Sequence, residues 1–305
     1  MRYTDSSRGK NMAKDPAVVR FRGKYLMYYS IPPQPGFHVG WGIGIAASED
    51  LENWEKIADL EESGALEESG ICAPGALVYD GKVHLFYQTY GRFEKDAICH
   101  AWSEDGIHFT RNATNPIVRA QGTWNNGRAI DADVCIFHGE LYLYFATRDP
   151  QGQIQMQGVS RAPLDGRFER ESWHQCCTEA ILKPELLWEQ ECIEAAATLV
   201  RNEKVYMFYA GAYNNCPQQI GVAVSEDGIH FQRMQKEPIV KNGEPGSWNC
   251  SESGHPYVFE DEDERVYLFY QGNNDNGESW YLSKVEIGFD GGKPYVKPAE
   301  GECFL

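Results

Sequence analysis

One short motif recurs along the chain. The heptapeptide SEDGIHF occurs at residues 103–109 and again, unchanged, at residues 225–231. A looser copy, SEDLENW, begins at Ser48, and a degenerate copy, SRAPLDGRF, begins at Ser160. Each copy follows a short apolar run, and a fifth run of this kind begins at Ser279. Recurrence at this scale is typical of repeat architectures, which constrain a fold more tightly than composition does.

A second element precedes each copy of the motif. It consists of an apolar strand, a tight turn at a glycine or a charged pair, and an alternating aromatic strand, which is the pattern of a β-hairpin. The five hairpin segments begin at Asp15, Pro74, Asp131, Glu194 and Gly254. A β-sandwich would not repeat the same hairpin and turn five times.

The spacing of these hairpins predicts the architecture. Five hairpins roughly 60 residues apart, each followed by a further strand and a turn, predict an all-β, five-bladed β-propeller with four-stranded antiparallel blades. We expect a single domain over residues 1–305. We expect the innermost strands to contain residues 18–21, 76–79, 133–137, 197–200 and 256–259.

The motif SEDGIHF contains two side chains that look reactive, Asp105 and His108. Asp-Gly is a common tight-turn pair, and the aromatic residue that follows can close the edge of a blade. We therefore interpret the motif as a structural turn at the blade rim. The same interpretation holds for His230 in the second copy.

Charge and composition exclude several classes of partner. The formal net charge is −17, which repels phosphate backbones and anionic membranes, so we expect neither nucleic acid nor a membrane as a partner. The nine cysteines form no CxxC pair and are expected to be reduced core thiols. The first fifteen residues contain no apolar signal segment. We expect a cytoplasmic protein, or a secreted or periplasmic one if a signal peptide was trimmed.

Acidic residues stand where three of the predicted innermost strands begin: Asp15 in blade one, Asp131 in blade three and Glu194 in blade four. The corresponding positions fall near Ala73 in blade two and at His255 in blade five. Carboxylates that converge on one axis repel one another, which is costly without a purpose. Glycoside hydrolysis supplies one, because it needs a protonated carboxylic acid and an ionised carboxylate.

The pattern resembles the glycoside hydrolases of family 43, the arabinanase and β-xylosidase superfamily of five-bladed propellers. On the segments that begin KDPAVV, AIDADV and IEAAAT, this resemblance implies that Asp15 is the general base. It implies that Asp131 modulates the pKa of the acid, and that Glu194 is the general acid. Glu194 is followed by Ala-Ala-Ala instead of the family's Gly-Pro. Glu191 is therefore a rival for Glu194, and Asp133 is a rival for Asp131.

Further residues near the strand starts are candidates for substrate binding. These are Arg128, Trp124 and His255. No cofactor is expected, although a structural cation such as calcium near the axis would be consistent with the resemblance, with His255 beside it. Arg148-Asp149-Pro150 is similar to a motif of the β-fructosidases, but it is predicted to follow an outer strand and receives no role.

These observations predict a glycosidase that acts on an oligosaccharide. The first hypothesis is an exo-acting, inverting enzyme on plant- or algal-type glycans, resembling arabinosidases, xylosidases or galactosidases. The stretch HVGWGIGIAASEDLENWE is similar to the retaining β-fructosidases, and SEDGIHFTRNATNPIV is similar to the propeller phosphorylases of mannosides. The alternatives are therefore a retaining β-fructosidase or a phosphorylase on the same scaffold. A carbohydrate-binding propeller without catalysis is the third class.

Overall fold

The computed structural model describes residues 1–34, 36 and 40–298. It confirms the predicted architecture of five four-stranded antiparallel sheets, each with its strands in sequence order. The innermost strands contain all five predicted segments. They are β1 (Lys14–Phe21), β5 (Ile71–Tyr79), β9 (Ile130–Phe137), β13 (Ile193–Arg201) and β17 (Glu252–Glu260).

The other three strands of each blade follow outward. The second strands are β2 (Lys24–Ile31), β6 (Lys82–Thr89), β10 (Glu140–Arg148), β14 (Lys204–Gly211) and β18 (Val266–Asn273). The third strands are β3 (Gly42–Ser48), β7 (Ile98–Ser103), β11 (Gln155–Pro163), β15 (Gln219–Ser225) and β19 (Tyr281–Asp290). The outermost strands are β4 (Glu55–Leu60), β8 (Thr110–Arg111), β12 (His174–Gln175), β16 (Gln232–Arg233) and β20 (Lys293–Val296).

Over the residues that the structure describes, helical structure is confined to short segments between the strands. One four-residue α-helix spans Gly64–Glu67, and single 3₁₀ turns span Phe93–Lys95, Arg170–Ser172 and Leu187–Glu189. Among the described residues, no helix is long and apolar enough to cross a membrane.

The innermost hairpins turn as their sequences predict. In blade one, Arg22 and Gly23 join β1 to β2, and both have positive φ, at 51° and 82°. In blade two, Asp80 and Gly81 do the same at 49° and 69°. Two successive residues with positive φ form the type I′ turn, whose twist matches that of the flanking strands.

The repeated SEDG turns fasten one blade to the next. In the first copy, the Ser103 hydroxyl accepts a hydrogen bond from the Gly106 N–H at 2.9 Å, while the Asp105 carboxylate accepts one from the His108 N–H at 2.8 Å. Gly106 has φ +79°, and a Cβ there would lie 2.4 Å from Leu26 Cδ1 of blade one. Its carbonyl accepts a hydrogen bond from Tyr28, also of blade one, at 2.9 Å. The interpretation of SEDGIHF as a structural turn is therefore confirmed.

Candidate active site

An irregularity at the start of each innermost strand shapes the centre of the propeller. The pairing between the first and second strands of every blade skips at this point, which is a β-bulge. One residue in each bulge has φ between 43° and 52°: Asp15, Ala73, Asp131, Ala195 and His255. The bulge bends each strand where it enters the axis and directs the neighbouring side chains into a shared space.

The bulge also frees a backbone N–H from the strand ladder, and a side chain accepts it. Gln271 accepts the Asp15 N–H at 3.1 Å, and Gln88 accepts the Asp131 N–H at 2.6 Å. In both cases the glutamine lies on the second strand of the preceding blade in the ring. Because a buried N–H without a partner is costly, these contacts hold the bulged conformation in place.

The three predicted carboxylates, Asp15, Asp131 and Glu194, line one pocket of about 190 Å³. Each is at most 7% exposed. Four groups that are positive or can become so line the same pocket: Lys14, Arg128, Arg148 and His255. Cys72, Ala73, Gln88, Tyr90, Ile130, Gln155, Tyr213 and Asn214 complete the wall.

Glu194 does not occupy the same position in its bulge as Asp15 and Asp131. It pairs with Ala210 before the register skips, as Lys14 pairs with Ser30 in blade one. The expectation of three equivalent positions was therefore wrong by one residue in blade four. The reason is that Ala195, not Glu194, takes the left-handed conformation of that bulge. The Glu194 side chain reaches the pocket all the same.

Asp15 is held as an anion. Burial alone would raise the pKa of Asp15, but the neighbouring His255 and Lys14 and a hydrogen bond from Ser30 outweigh it and lower that pKa. Lys14 Nζ lies 4.0 Å from Asp15 Oδ1, and His255 Nδ1 lies 3.2 Å from the same oxygen. Burial lowers the pKa of His255, against the charges of Asp15 and Glu194, which raise it. The pKa of Lys14 is raised, because the charges of Asp15, Glu252 and Glu194 outweigh its burial.

Asp131 is in the opposite situation. Burial, and then the charges of Glu194 and Asp15, raise the pKa of Asp131 well above its usual range, and Arg128 only partly offsets them. A raised pKa favours the protonated form of Asp131. Glu194 accepts hydrogen bonds from the side-chain amides of Gln155 and Gln218. These two donors hold both oxygens of the Glu194 carboxyl group in place.

The rival residues named from the sequence lie elsewhere. Glu191 is exposed and does not line the pocket. Asp133 is buried outside the pocket lining, where it accepts hydrogen bonds from the N–H and hydroxyl of Thr198 at 2.7 and 2.5 Å. Burial raises the pKa of Asp133 to about 7. Trp124 also lies outside the pocket lining, with its indole packed over Gly158.

Arg128 lines the pocket, and its role in substrate binding stays a prediction. Its Nη2 lies 3.5 Å from Asp96 Oδ2, and its Nε is buried with no hydrogen-bond partner among the described residues. Among the residues described, no three His, Cys, Asp or Glu side chains converge as a metal-binding group. His255 lines the pocket, and a cation beside it stays a prediction.

Sequence reasoning missed several polar residues at the site, among them Lys14, Arg148, Gln155 and Gln218. The prediction that Arg148 follows an outer strand was wrong. It is the last residue of the second strand of blade three, and it lines the pocket. The two glutamines stand at or beside the start of a third strand, where a polar residue is ordinary. Of these residues, only Lys14 could have been found from the sequence, because it directly precedes the predicted base Asp15.

Comparisons with known proteins agree with this architecture. A family model described as glycosyl hydrolases family 43 matches residues 9–291. Among solved structures, the chain is similar to a thermostable family-43 glycoside hydrolase, with 20% identity, a TM-score of 0.76, and coverage of 99% of this chain and 98% of the other. It is also similar to an endo-1,4-beta-xylanase from Bacteroides thetaiotaomicron VPI-5482, with 21% identity, a TM-score of 0.72, and 94% of each chain covered.

One curated relative matches over a shorter segment. A beta-1,2-mannobiose phosphorylase from Thermoanaerobacter sp. (strain X514) is 30% identical over 106 residues, which is 30% of this chain and 33% of the relative. The match therefore spans about a third of that relative's length.

Proposed function

Because the chain belongs to family 43 of the glycosyl hydrolases, and is thus a glycosidase, we propose that it releases a single terminal sugar from an oligosaccharide with inversion. The observation that carries the proposal is the meeting of Asp15, Asp131 and Glu194 in one buried pocket. At about 190 Å³ the pocket is smaller than the roughly 300–1,000 Å³ of typical ligand sites. This size suits one sugar ring and supports an exo mode of action.

In the proposed mechanism, Asp15 is the general base. Its pKa is lowered, so it is ionised at neutral pH and can accept a proton from a water molecule. The water oxygen then bonds to the anomeric carbon as the bond from that carbon to the leaving oxygen breaks. Glu194, in its protonated form, gives its proton to the leaving oxygen. An arabinoside, xyloside or galactoside of a plant- or algal-type glycan is the proposed substrate class.

Phosphorolysis is a second candidate, because Arg128 and Arg148 both line the pocket. A guanidinium group binds phosphate in a bidentate manner. The partial likeness to a mannobiose phosphorylase points the same way. In this reaction, a phosphate oxygen instead of water would attack the anomeric carbon.

The test is a panel of nitrophenyl glycosides (arabinofuranoside, xyloside, galactoside, mannoside and fructoside), each with and without inorganic phosphate. Proton NMR during turnover reports the first anomer released. We expect one glycoside to be hydrolysed at a rate independent of phosphate, with the inverted anomer formed first. A retained anomer would support the retaining alternative. A sugar phosphate product would support phosphorolysis.

The Glu194→Gln variant tests the general acid within the same panel. We expect kcat to fall by roughly 10²–10⁴-fold on a glycoside with a poor leaving group, because this group needs a proton. The loss should be much smaller on a dinitrophenyl glycoside. Asp15→Asn should abolish both activities, with azide or formate restoring turnover. Equal losses for Glu194→Gln on both substrates would contradict its role as the acid.

A further inference from the structure

Each blade has an equivalent position just at or before the start of its third strand. In each blade, the first-strand residue just before the bulge pairs with a second-strand residue, which in turn pairs with a third-strand residue. These third-strand residues are Ile43, Ile98, Gln157, Ile220 and Leu282, and the equivalent position lies two residues before each of them. Two residues earlier stand Trp41, Asp96, Gln155, Gln218 and Trp280. We call these the flanking positions, because each lies between its own blade and the next.

In blade one, Lys14 lies between two flanking residues, Trp280 and Trp41. Its ammonium group lies 4.5 Å from the ring centre of Trp280, which is the flanking residue of blade five. It lies 5.8 Å from the ring of Trp41, which is the flanking residue of blade one itself. Aromatic faces attract cations, so the two tryptophan rings stabilise the positive charge of Lys14.

In blade four, the residue equivalent to Lys14 is Glu194, and the flanking residues are amides. Gln155 of blade three donates from Nε2 to Glu194 Oε2, and Gln218 of blade four donates from Nε2 to Glu194 Oε1 at 2.7 Å. Both glutamines are at most 1% exposed. The flanking residues are therefore aromatic rings where the central residue is a cation, in blade one. They are N–H donors where the central residue is a carboxyl group, in blade four.

Neither amide can turn over without losing other hydrogen bonds. Gln155 Oε1 accepts from Arg148 Nε at 3.1 Å. Gln218 Oε1 accepts from the His255 N–H at 3.0 Å, and its Nε2 also donates to the Ala212 carbonyl at 2.9 Å. Each amide therefore presents its N–H side to Glu194, and both carboxyl oxygens are fixed.

We propose that Gln155 and Gln218 are positioning residues that hold the Glu194 carboxyl group and set how firmly it keeps its proton. The proposal rests on the proposed function, because it assigns Glu194 the acid's task. Two buried donors stabilise the ionised carboxylate, which offsets the repulsion from Asp131. The acid is thereby kept ready to release its proton to a leaving group.

Arg148 connects this pair to the pocket. It lines the pocket wall and also fixes the orientation of the Gln155 amide. A substrate oxygen that binds Arg148 therefore acts on Glu194 through one intervening side chain. Gln218 has no such link, since its other partners are backbone groups.

The experiment follows the Glu194 carboxyl group directly and does not depend on turnover. The full-length protein is labelled with ¹³C at the glutamate carboxyl carbon, and its resonances are titrated with pH. The Glu194 resonance is assigned by its disappearance in Glu194→Gln. We expect Gln155→Met, which removes the donor, to move the titration midpoint of this resonance to higher pH.

Two further variants complete the design. Gln155→Glu keeps the size of the side chain and the acceptor for Arg148, and its added charge should move the midpoint in the same direction. Gln157→Ile is the matched control. It lies two residues along the same strand, and its buried amide has no hydrogen-bond partner in the part of the chain that the structure describes. The equivalent residues of the other blades are Ile or Leu. It should leave the midpoint unchanged.

Kinetics on the best nitrophenyl glycoside provide the second readout. The alkaline limb of the kcat/KM profile should move to higher pH in Gln155→Met and not in Gln157→Ile. A Glu194 midpoint that is the same in both Gln155 variants as in the unmodified protein would overturn the proposal. If the midpoint moves but no glycoside is cleaved, the positioning stands and the proposed function fails.

Discussion

Asp131 differs from the other two pocket carboxyls in how little supports its charge. Asp15 has Lys14 beside it, and Glu194 has two amide donors, whereas the charges of Arg128 and Lys14 only partly offset the burial of Asp131. The charge of Glu194 is one cause of the raised pKa of Asp131. In the proposed mechanism Glu194 must carry a proton, so the loss of that proton sets the alkaline limb of the kcat/KM profile.

Asp131→Asn should move this alkaline limb to lower pH. The substitution removes one titrating group and its like charge, so the remaining carboxyl group loses its proton more readily. Activity at neutral pH should fall for the same reason. The measurement is kcat/KM against pH on the preferred nitrophenyl glycoside. Asp133→Asn is the control, since this carboxyl lies outside the pocket lining. An alkaline limb that stays in place in Asp131→Asn would show that the two carboxyls are not coupled.

At the scale of the strands, a buried acidic residue recurs before the innermost strand and joins its blade together. In blade four, the Glu189 carboxylate accepts hydrogen bonds from the Tyr209 hydroxyl at 2.7 Å and from Arg233 Nε at 2.7 Å. Tyr209 lies on β14 and Arg233 on β16, so the three residues link the blade's second and outermost strands. Blade two repeats this unit with Glu67, Tyr87 and Arg111.

Glu189→Gln should lower the free energy of unfolding at neutral pH by about 3–5 kcal/mol, because it leaves the Arg233 charge without its buried partner. The matched control is Glu185→Gln. Glu185 also contacts Arg233, at 3.0 Å, but its side chain is 60% exposed, so its loss should cost less than about 1 kcal/mol. Urea unfolding at neutral pH measures both. Equal losses in the two variants would contradict the assignment.

The pH dependence of this variant has a definite sign. Arg233 and the other donors outweigh the burial of Glu189 and lower the pKa of its carboxyl group. A carboxyl with a lowered pKa in the folded state stabilises the fold above its unfolded pKa. That stability is lost as the pH falls through the folded value. The difference between Glu189→Gln and the unmodified protein should therefore shrink in acid.

At the scale of the whole molecule, the fold could be predicted because it is repeated. Each blade is encoded locally by its own hairpin, and four of the five blades add an exact, loose or degenerate copy of the SEDG turn. The pocket could be predicted only where a residue stands in that repeat, as Asp15 and Asp131 do. Gln155 and Gln218 escaped notice because their role depends on Glu194, which lies 24 to 39 residues away along the chain. The one-residue displacement of Glu194 depends on backbone conformation, which apolar periodicity does not reveal.

The closure of the ring also depends on distant parts of the chain. In blades two and four, a segment after the outermost strand bridges to the third strand, through Val118 and Val240. In blade five, Tyr3 from the start of the chain takes this place opposite Leu282. The Tyr3 N–H donates to the Leu282 carbonyl at 2.9 Å, and the Leu282 N–H donates back at 2.8 Å. Residues at the two ends of the chain thus complete one blade.

Tyr3→Pro should loosen this closure. Proline has no N–H, so the buried Leu282 carbonyl would lose its donor, at a cost of about 1–3 kcal/mol. The melting temperature should fall accordingly in a thermal unfolding experiment. Arg2→Pro is the matched control, because the N–H of Arg2 makes no backbone hydrogen bond among the described residues. If both variants have the same melting temperature as the unmodified protein, the pairing of Tyr3 with blade five does not stabilise the ring. If only Tyr3→Pro is destabilised, the start of the chain forms part of the fifth blade.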